Sequence, residues 1–335
     1  MNRLLFLHRL PCLATLLCAL LSASHAAAEP RQFALLAKRI DQHFFVQAGR
    51  GCAEAAAAEG DTCLLLGATG PAHFRRQNEA LEQALGRGLD GIALSVTDSR
   101  WLAEHALKHL DRAPLITFDS DLAPAERHLR RGYVGLDNLA FGRRLGLLIQ
   151  RFRPAGGRLC ILNGSQQDPN LHERLVGIRQ QLRGTGDAGG TERLAGENGW
   201  IEVQRCPLYT ADSQEKALLQ LSTLLNATEL EAIVAVGSWP IYEAEAFRRQ
   251  LGPLLAELDG KGRRPAIVMA ADEPDARQLA LLDDGLIQAY VGARSSEIGR
   301  QSYYMMKRLA QGQPVAGQIL VDSQVYLPSS APAEP

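Results

Sequence analysis

The sequence has 335 residues, room for two domains of about 100–200 residues each. Apolar residues make up 46 % and charged residues 22 %, a globular balance that excludes a disordered or fibrous chain. Lys and Arg total 36 against 37 Asp and Glu, a net charge of −1, which excludes the basic footprint of a nucleic-acid binder and a polybasic membrane contact.

Residues 1–28 read as an address. Arg3 and Arg9 give a positive start, Leu10–Leu21 is an apolar run broken by Pro11 and Thr15, and the small residues Ser22 to Ala28 follow. That order predicts a secretory signal peptide cleaved near Ala26 or Ala28. A membrane anchor is the alternative, but the run is shorter than the ~20 residues a spanning helix needs. The bulky Leu17 before Cys18 fits a lipoprotein cleavage site poorly. No other segment is long and apolar enough to span, and 331–335 read as a frayed tail.

Export changes the meaning of the cysteines. Cys52, Cys63, Cys160 and Cys206 remain after cleavage, and an even number in an oxidising compartment permits disulfides. Three pairings are open, of which Cys52–Cys63 with Cys160–Cys206 is the most local. Burial as small apolar residues is an equal alternative. The spacing fits no zinc site.

Beyond the leader, Gln32–Lys38, Thr62–Gly67, Gly91–Leu94 and Leu115–Phe118 read as buried strands. Helical periodicity runs near Phe44–Glu59, Phe74–Leu85 and Trp101–Leu110. The pattern then restarts with strands at Arg158–Leu162, Ile201–Cys206, Ala232–Val236, Ala266–Ala270 and Ile287–Val291. Helical stretches lie near Asn170–Leu182, Asp212–Leu225, Tyr242–Leu251 and Asp275–Asp284. Two sets of alternating strands and helices predict two α/β lobes with parallel sheets. A boundary is expected at Arg151–Gly157, where Pro and two Gly interrupt the periodicity. Gly184–Gly199 is expected to be a surface loop.

Ligands of open α/β sheets collect at the carboxyl ends of the strands. Just beyond the strands stand Asp41-Gln42-His43-Phe44-Phe45, Ser95-Val96-Thr97-Asp98, Asp119-Ser120-Asp121, Gly237-Ser238-Trp239-Pro240 and Asp272-Glu273. Aromatic faces beside fixed carboxylates suit a polyhydroxylated ring, whose C–H faces meet π surface while its hydroxyls donate.

On these residues the sequence resembles the periplasmic sugar-binding proteins of the type I fold, typified by ribose-binding protein, which share their lobes with the lactose-repressor family. The resemblance runs from about Phe33 to Leu327. Its markers are Asp41-Gln42-His43-Phe44-Phe45, Arg87-Gly88-Leu89-Asp90-Gly91-Ile92, Pro114-Leu115-Ile116-Thr117-Phe118-Asp119, Val134-Gly135-Leu136-Asp137-Asn138 and Ala271-Asp272-Glu273-Pro274. It implies a periplasmic binding protein type I fold, two Rossmann-like lobes joined by a three-segment hinge. Crossovers would fall near Arg151–Gly157, Ala293–Ser295 and Gln318–Val321. The implied division is a leader over 1–28, an N-terminal lobe over 29–152 plus 295–319, a C-terminal lobe over 153–294 plus 320–330, and a disordered tail over 331–335.

Carried over by position, Phe44 and Phe45 match the aromatic pair that sandwiches the ligand. Asp119 and Asp272 match the carboxylates that accept its hydroxyls, and Gln42 matches a polar contact. The departures are Ser120 for a usual Arg, His172 (with Arg174 two residues on) for the second-lobe Arg, Gly237-Ser238 for a polar Asn-Asp pair, and Ala293, followed by Arg294, for a usual Gln. These put ribose itself in doubt. A ligand stacking on Trp239, or one with a positive charge, gains.

Each position also has a plainer reading. Phe44, Phe45 and Trp239 also suit a core and Asp119 and Asp272 a turn or cap, but their strand-end positions favour the ligand. His172 serves as a surface histidine, and for Gln42 the two readings are balanced. Ser95, Asp98 and Arg294 carry less signal, and Asp137-Asn138 reads as a helix cap. No nucleophile elbow, phosphate loop or dinucleotide fingerprint occurs. His105 and His109, four apart, read as a solvated helix face.

The expectation is therefore a non-enzymatic, monomeric periplasmic protein without cofactor or metal. It captures a sugar or polyol through Gln42, Phe44, Phe45, Ser95, Asp119, His172, Trp239, Asp272 and Arg294 and delivers it to a membrane ABC permease. The alternatives are output to a sensor kinase or chemoreceptor, or a cationic amine as ligand. A regulator of this fold would need a DNA-binding headpiece where the leader stands.

Overall fold

The computed structural model describes residues 29–109, 114–184, 189, 191–227 and 229–331. The expected leader lies outside these residues, as does the expected tail except for Ala331. The first half alternates as expected through four strands, β1 (Gln32–Leu36), α1 (His43–Ala58), β2 (Thr62–Leu66), α2 (Phe74–Leu85), β3 (Gly91–Leu94), α3 (Ser99–Glu104) and β4 (Leu115–Phe118), and then adds a short strand outside the expected set, β5 (Tyr133–Gly135). Next come α4 (Asn138–Phe152), β6 (Gly157–Asn163), α5 (Pro169–Arg183), β7 (Trp200–Glu202), β8 (Leu208–Tyr209), α6 (Gln214–Ala227), β9 (Ala232–Ala235), α7 (Ala244–Gly260), β10 (Ala266–Asp272), α8 (Ala276–Asp283) and β11 (Ala289–Ala293). The chain closes with α9 (Ser295–Ala310), β12 (Gln318–Leu320) and β13 (Gln324–Tyr326).

Two α/β lobes result. One sheet has the order β12-β5-β4-β3-β1-β2 and is parallel throughout. The other runs β13-β11-β10-β9-β6-β7, with β8 also on β6, and only β13 is antiparallel. Alternation sorts the side chains: Phe33 and Leu35 of β1 pack on one face, Ala34 and Leu36 on the other. Both faces are covered, as parallel sheets require. Leu36 pairs with Leu66 and with Leu94, so β1, β2 and β3 end flush. The loops leaving these three strands therefore emerge at one edge of the sheet.

The first crossover differs from expectation. α4 packs on α5 and on β9, β10 and β11, so the chain leaves the first sheet between Gly135 and Asn138, not at Arg151–Gly157. Pro154, Gly156 and Gly157 interrupt the helical pattern only to turn α4 into β6, within the second lobe. The other two crossings fall at Arg294, between β11 and α9, and at 321–323, between β12 and β13. α9 returns to the first lobe, against α1, β3 and β4.

α7 is longer than its expected Tyr242–Leu251. It runs through Pro253 because Leu251, Leu255 and Leu258 keep one apolar face buried. α3 is shorter, ending at Glu104, and His105 stacks on Trp101 with ring centroids 3.9 Å apart. The Gly184–Gly199 loop is not wholly at the surface, because Leu194 within it is buried. The cysteines form the two local disulfides, Cys52–Cys63 between α1 and β2, and Cys160–Cys206 between β6 and the loop before β8. Among the described residues no helix is long and apolar enough to cross a membrane.

Candidate functional site

The strand edges of the two lobes enclose a central cavity of about 40 Å³. From the first lobe it receives Lys38 after β1, Gln42, Phe44 and Phe45 at the start of α1, and Asp119 after β4. Asp168, Asn170 and Arg174 reach it from the start of α5, Asp212 from the loop after β8, Trp239 from the turn after β9, and Asp272 from the end of β10. Carboxylates and aromatic rings thus converge from elements scattered through the chain.

Asp119 is held from several sides. Its backbone is left-handed, with φ 60°, which bends the chain sharply out of β4. The Tyr133 hydroxyl donates to its carbonyl at 3.0 Å, Ser95 Oγ donates to its Oδ2 at 2.7 Å and Asn170 Nδ2 donates to its Oδ1 at 3.2 Å. Asp272 accepts a hydrogen bond from Ser238 Oγ. Burial raises the Asp272 carboxyl above the ordinary range, against the Ser238 bond and the Arg174 charge.

Arg174 comes to the cavity because α4 and α5 cross closely. A Cβ on Gly142 would lie 2.1 Å from the Arg174 carbonyl oxygen, so only glycine permits this crossing. Arg174 Nε donates to Asn138 Oδ1 and Nη1 to the Val236 carbonyl, both at 2.9 Å, and the guanidinium lies 4.3 Å from the Phe141 ring centroid. Burial lowers its pKa, against the Asp119 and Asp272 charges. Trp239 needs room in the same way: a Cβ on Gly237 would stand 2.4 Å from its ring.

A second charged group spans the cavity. Lys38 Nζ lies 3.0 Å from Asp168 Oδ2 and donates to Asn170 Oδ1 at 3.0 Å. Burial raises the Asp168 carboxyl, and the Lys38 charge opposes the rise. Asp212, also left-handed at φ 56°, is pushed up to about 6 by burial and then by Asp168, against Lys38, Arg39 and a hydrogen bond from Trp239.

Of the nine expected residues, Gln42, Phe44, Phe45, Asp119, Trp239 and Asp272 line this cavity. Ser95 is fully buried and touches it only through Asp119. His172 is exposed and lines a neighbouring chamber. Its side chain is carried outward because α5 turns Arg174, two positions on, to the inside. Arg294 is exposed and precedes α9 rather than lining the cavity. Lys38, Asp168, Asn170 and Asp212 were not anticipated. The one sequence signal for Lys38 is a lysine closing an otherwise apolar strand, QFALLAK.

No curated protein matches the chain. Among solved structures it is similar to GanP, a glucose-galactose binding protein from Geobacillus stearothermophilus, with 19 % identity over 91 % of this chain and 100 % of that one and a TM-score of 0.74. It is similar to an ABC transporter solute binding protein from Agrobacterium vitis with bound D-fucose, with 18 % identity, coverage of 89 % and 96 % and a TM-score of 0.75. It is also similar to one from Burkholderia graminis in complex with D-arabinose, with 21 % identity, coverage of 88 % and 94 % and a TM-score of 0.71. Residues 33–314 match the family model described as the periplasmic binding protein domain. With that match over most of its length and two parallel-sheet lobes meeting at their strand ends, the chain belongs to the periplasmic binding protein domain family.

Proposed function

We propose that this is an exported, monomeric protein of the periplasm that captures a neutral sugar or polyol between its lobes and delivers it to a membrane ABC importer. One observation carries the reading: the rings of Phe44, Phe45 and Trp239 share a cavity wall with the acceptors Asp119 and Asp272 and the donor Arg174, drawn from both lobes. Stacking meets the C–H faces of a sugar, and charge-assisted hydrogen bonds fix its hydroxyls. The sugars bound in the similar A. vitis and B. graminis structures add support. The lobes are 31–136 with 295–320, and 137–294 with 321–330, and the three crossings between them act as the hinge.

Thermal-shift titration of the purified protein against pentoses, hexoses and polyols, including D-arabinose and D-fucose, tests this. A true ligand at a hundredfold excess over its Kd raises the apparent stability by about 2.7 kcal/mol. No shift with any neutral sugar or polyol overturns the assignment. Loss of uptake of that sugar on gene deletion supports delivery to an importer, whereas loss of a transcriptional or chemotactic response with uptake intact supports a sensor kinase or chemoreceptor.

A cationic amine is the second reading, favoured by four carboxylates in the cavity wall, Asp119, Asp168, Asp212 and Asp272, against the cations Lys38 and Arg174 there and Arg39 beside Asp212. Salt separates the two: amine affinity falls as ionic strength rises, and neutral-sugar affinity holds.

A further inference from the structure

The chain's own side chains run across its cleft. Lys38, two residues beyond β1, reaches Asp168 Oδ2 and Asn170 Oδ1 at the start of α5, each at 3.0 Å. Asn170 continues the line back to the first lobe through its 3.2 Å bond to Asp119. Beside it, Arg39 Nη1 donates to the Asp212 carbonyl at 3.0 Å. The Lys38 and Asp168 side chains are each 5 % exposed, so solvent and salt screen this pair far less than a surface pair.

The line also partitions the cleft. On one side lies a chamber of about 490 Å³, reaching Asp98 and Tyr209, which shares Asp168 and Asp212 with the central cavity. On the other lies one of about 410 Å³, reaching Asp137 and Glu173, which shares Asn170. The centre, about 40 Å³, holds little more than water, while small-molecule sites ordinarily occupy about 300–1,000 Å³. A sugar ring reaches Asp119, Phe44 and Trp239 together only if the line parts and the chambers merge.

We propose that Lys38 is a latch and a specificity-determining residue: it fastens the lobes to each other through Asp168 and Asn170, and a solute enters fully only when its own donors take the place of the ammonium. Both atoms that Lys38 holds are acceptors, so the displacing groups must be hydroxyls or N–H groups. A solute offering only ether or carbonyl oxygens leaves Asp168 and Asn170 unpartnered in a buried site and is rejected. The latch also lowers apparent affinity by the fraction of molecules it holds shut.

The test needs no solute, so failure of the latch and failure of sugar capture are separately visible. Small-angle scattering of the solute-free protein should give a radius of gyration matching the closed structure for wild type and larger values for Lys38→Met and Asp168→Asn. The charge swap Lys38→Asp with Asp168→Lys should restore the compact value. Circular dichroism identifies any variant that fails to fold, in which case Asn170→Ala, which keeps the Lys38–Asp168 pair and removes its continuation to Asp119, supplies the comparison and should expand partially. Equal radii for wild type and the folded variants overturn the proposal, as does a wild type already as wide as Lys38→Met.

Discussion

Asp119 meets the candidate ligand with a carboxylate already committed to Ser95 and Asn170, so the choice of substitution matters. Asp119→Ala leaves both donors unpartnered and should cost about 1–3 kcal/mol of stability in addition to binding. Asp119→Asn keeps an acceptor and tolerates the left-handed backbone, so sugar affinity should drop at least tenfold while the Tm shifts little; calorimetry read beside a melting curve checks both. Asp212 gives a pH signature. Facing Asp168, Lys38, Arg39, Tyr242 and Trp239, it keeps its proton in the folded chain up to about pH 6, against an ordinary value of 3.8. It therefore costs nothing below pH 3.8, a growing amount between there and 6, and the full penalty above. Asp212→Asn should stabilise the protein at pH 7.5 by up to about 3 kcal/mol and much less at pH 4.5. An equal gain in denaturant melts at both values would show that burial of this charge is not the cause.

The elements were largely legible and their partners were not. Periodicity located α1, α2 and α5 within a few residues because each has one apolar face. Nothing in the α4 run says which sheet its face will meet, and this is why the expected first crossover falls a whole helix late. Likewise, nothing in α5 says that Arg174, rather than His172, will turn inward. The α4–α5 contact at Gly142 fixes that orientation. Gly142→Val should push the helices apart, costing about 1–3 kcal/mol by overpacking, and should weaken sugar binding by displacing Arg174. Gly252→Ala on α7, where a Cβ meets open space, is the control and should do neither.

For the molecule as a whole, the two disulfides each staple one lobe and leave the hinge free. Cys160–Cys206 closes the longer loop, 46 residues against 11. The chain-entropy relation gives roughly 4 kcal/mol for it and roughly 3 kcal/mol for Cys52–Cys63. Cys160→Ser with Cys206→Ser should therefore lower the denaturant midpoint more than Cys52→Ser with Cys63→Ser, while both pairs of variants still bind sugar. A loss of binding in either folded pair would mean that a disulfide shapes the cleft.

The sequence alone determined the two rounds of parallel α/β structure, the strand-end placement of Asp119 and Asp272, and the aromatic pair Phe44 and Phe45. Those depend on local periodicity and on residues adjacent in the chain. Only the tertiary structure decided that Lys38 would face Asp168, 130 residues away, that Arg174 would enter the cleft and His172 leave it, and that the chain would change lobes before α4. Each of these is set by how two packed surfaces meet, and a contact between distant segments leaves no period in the chain to read.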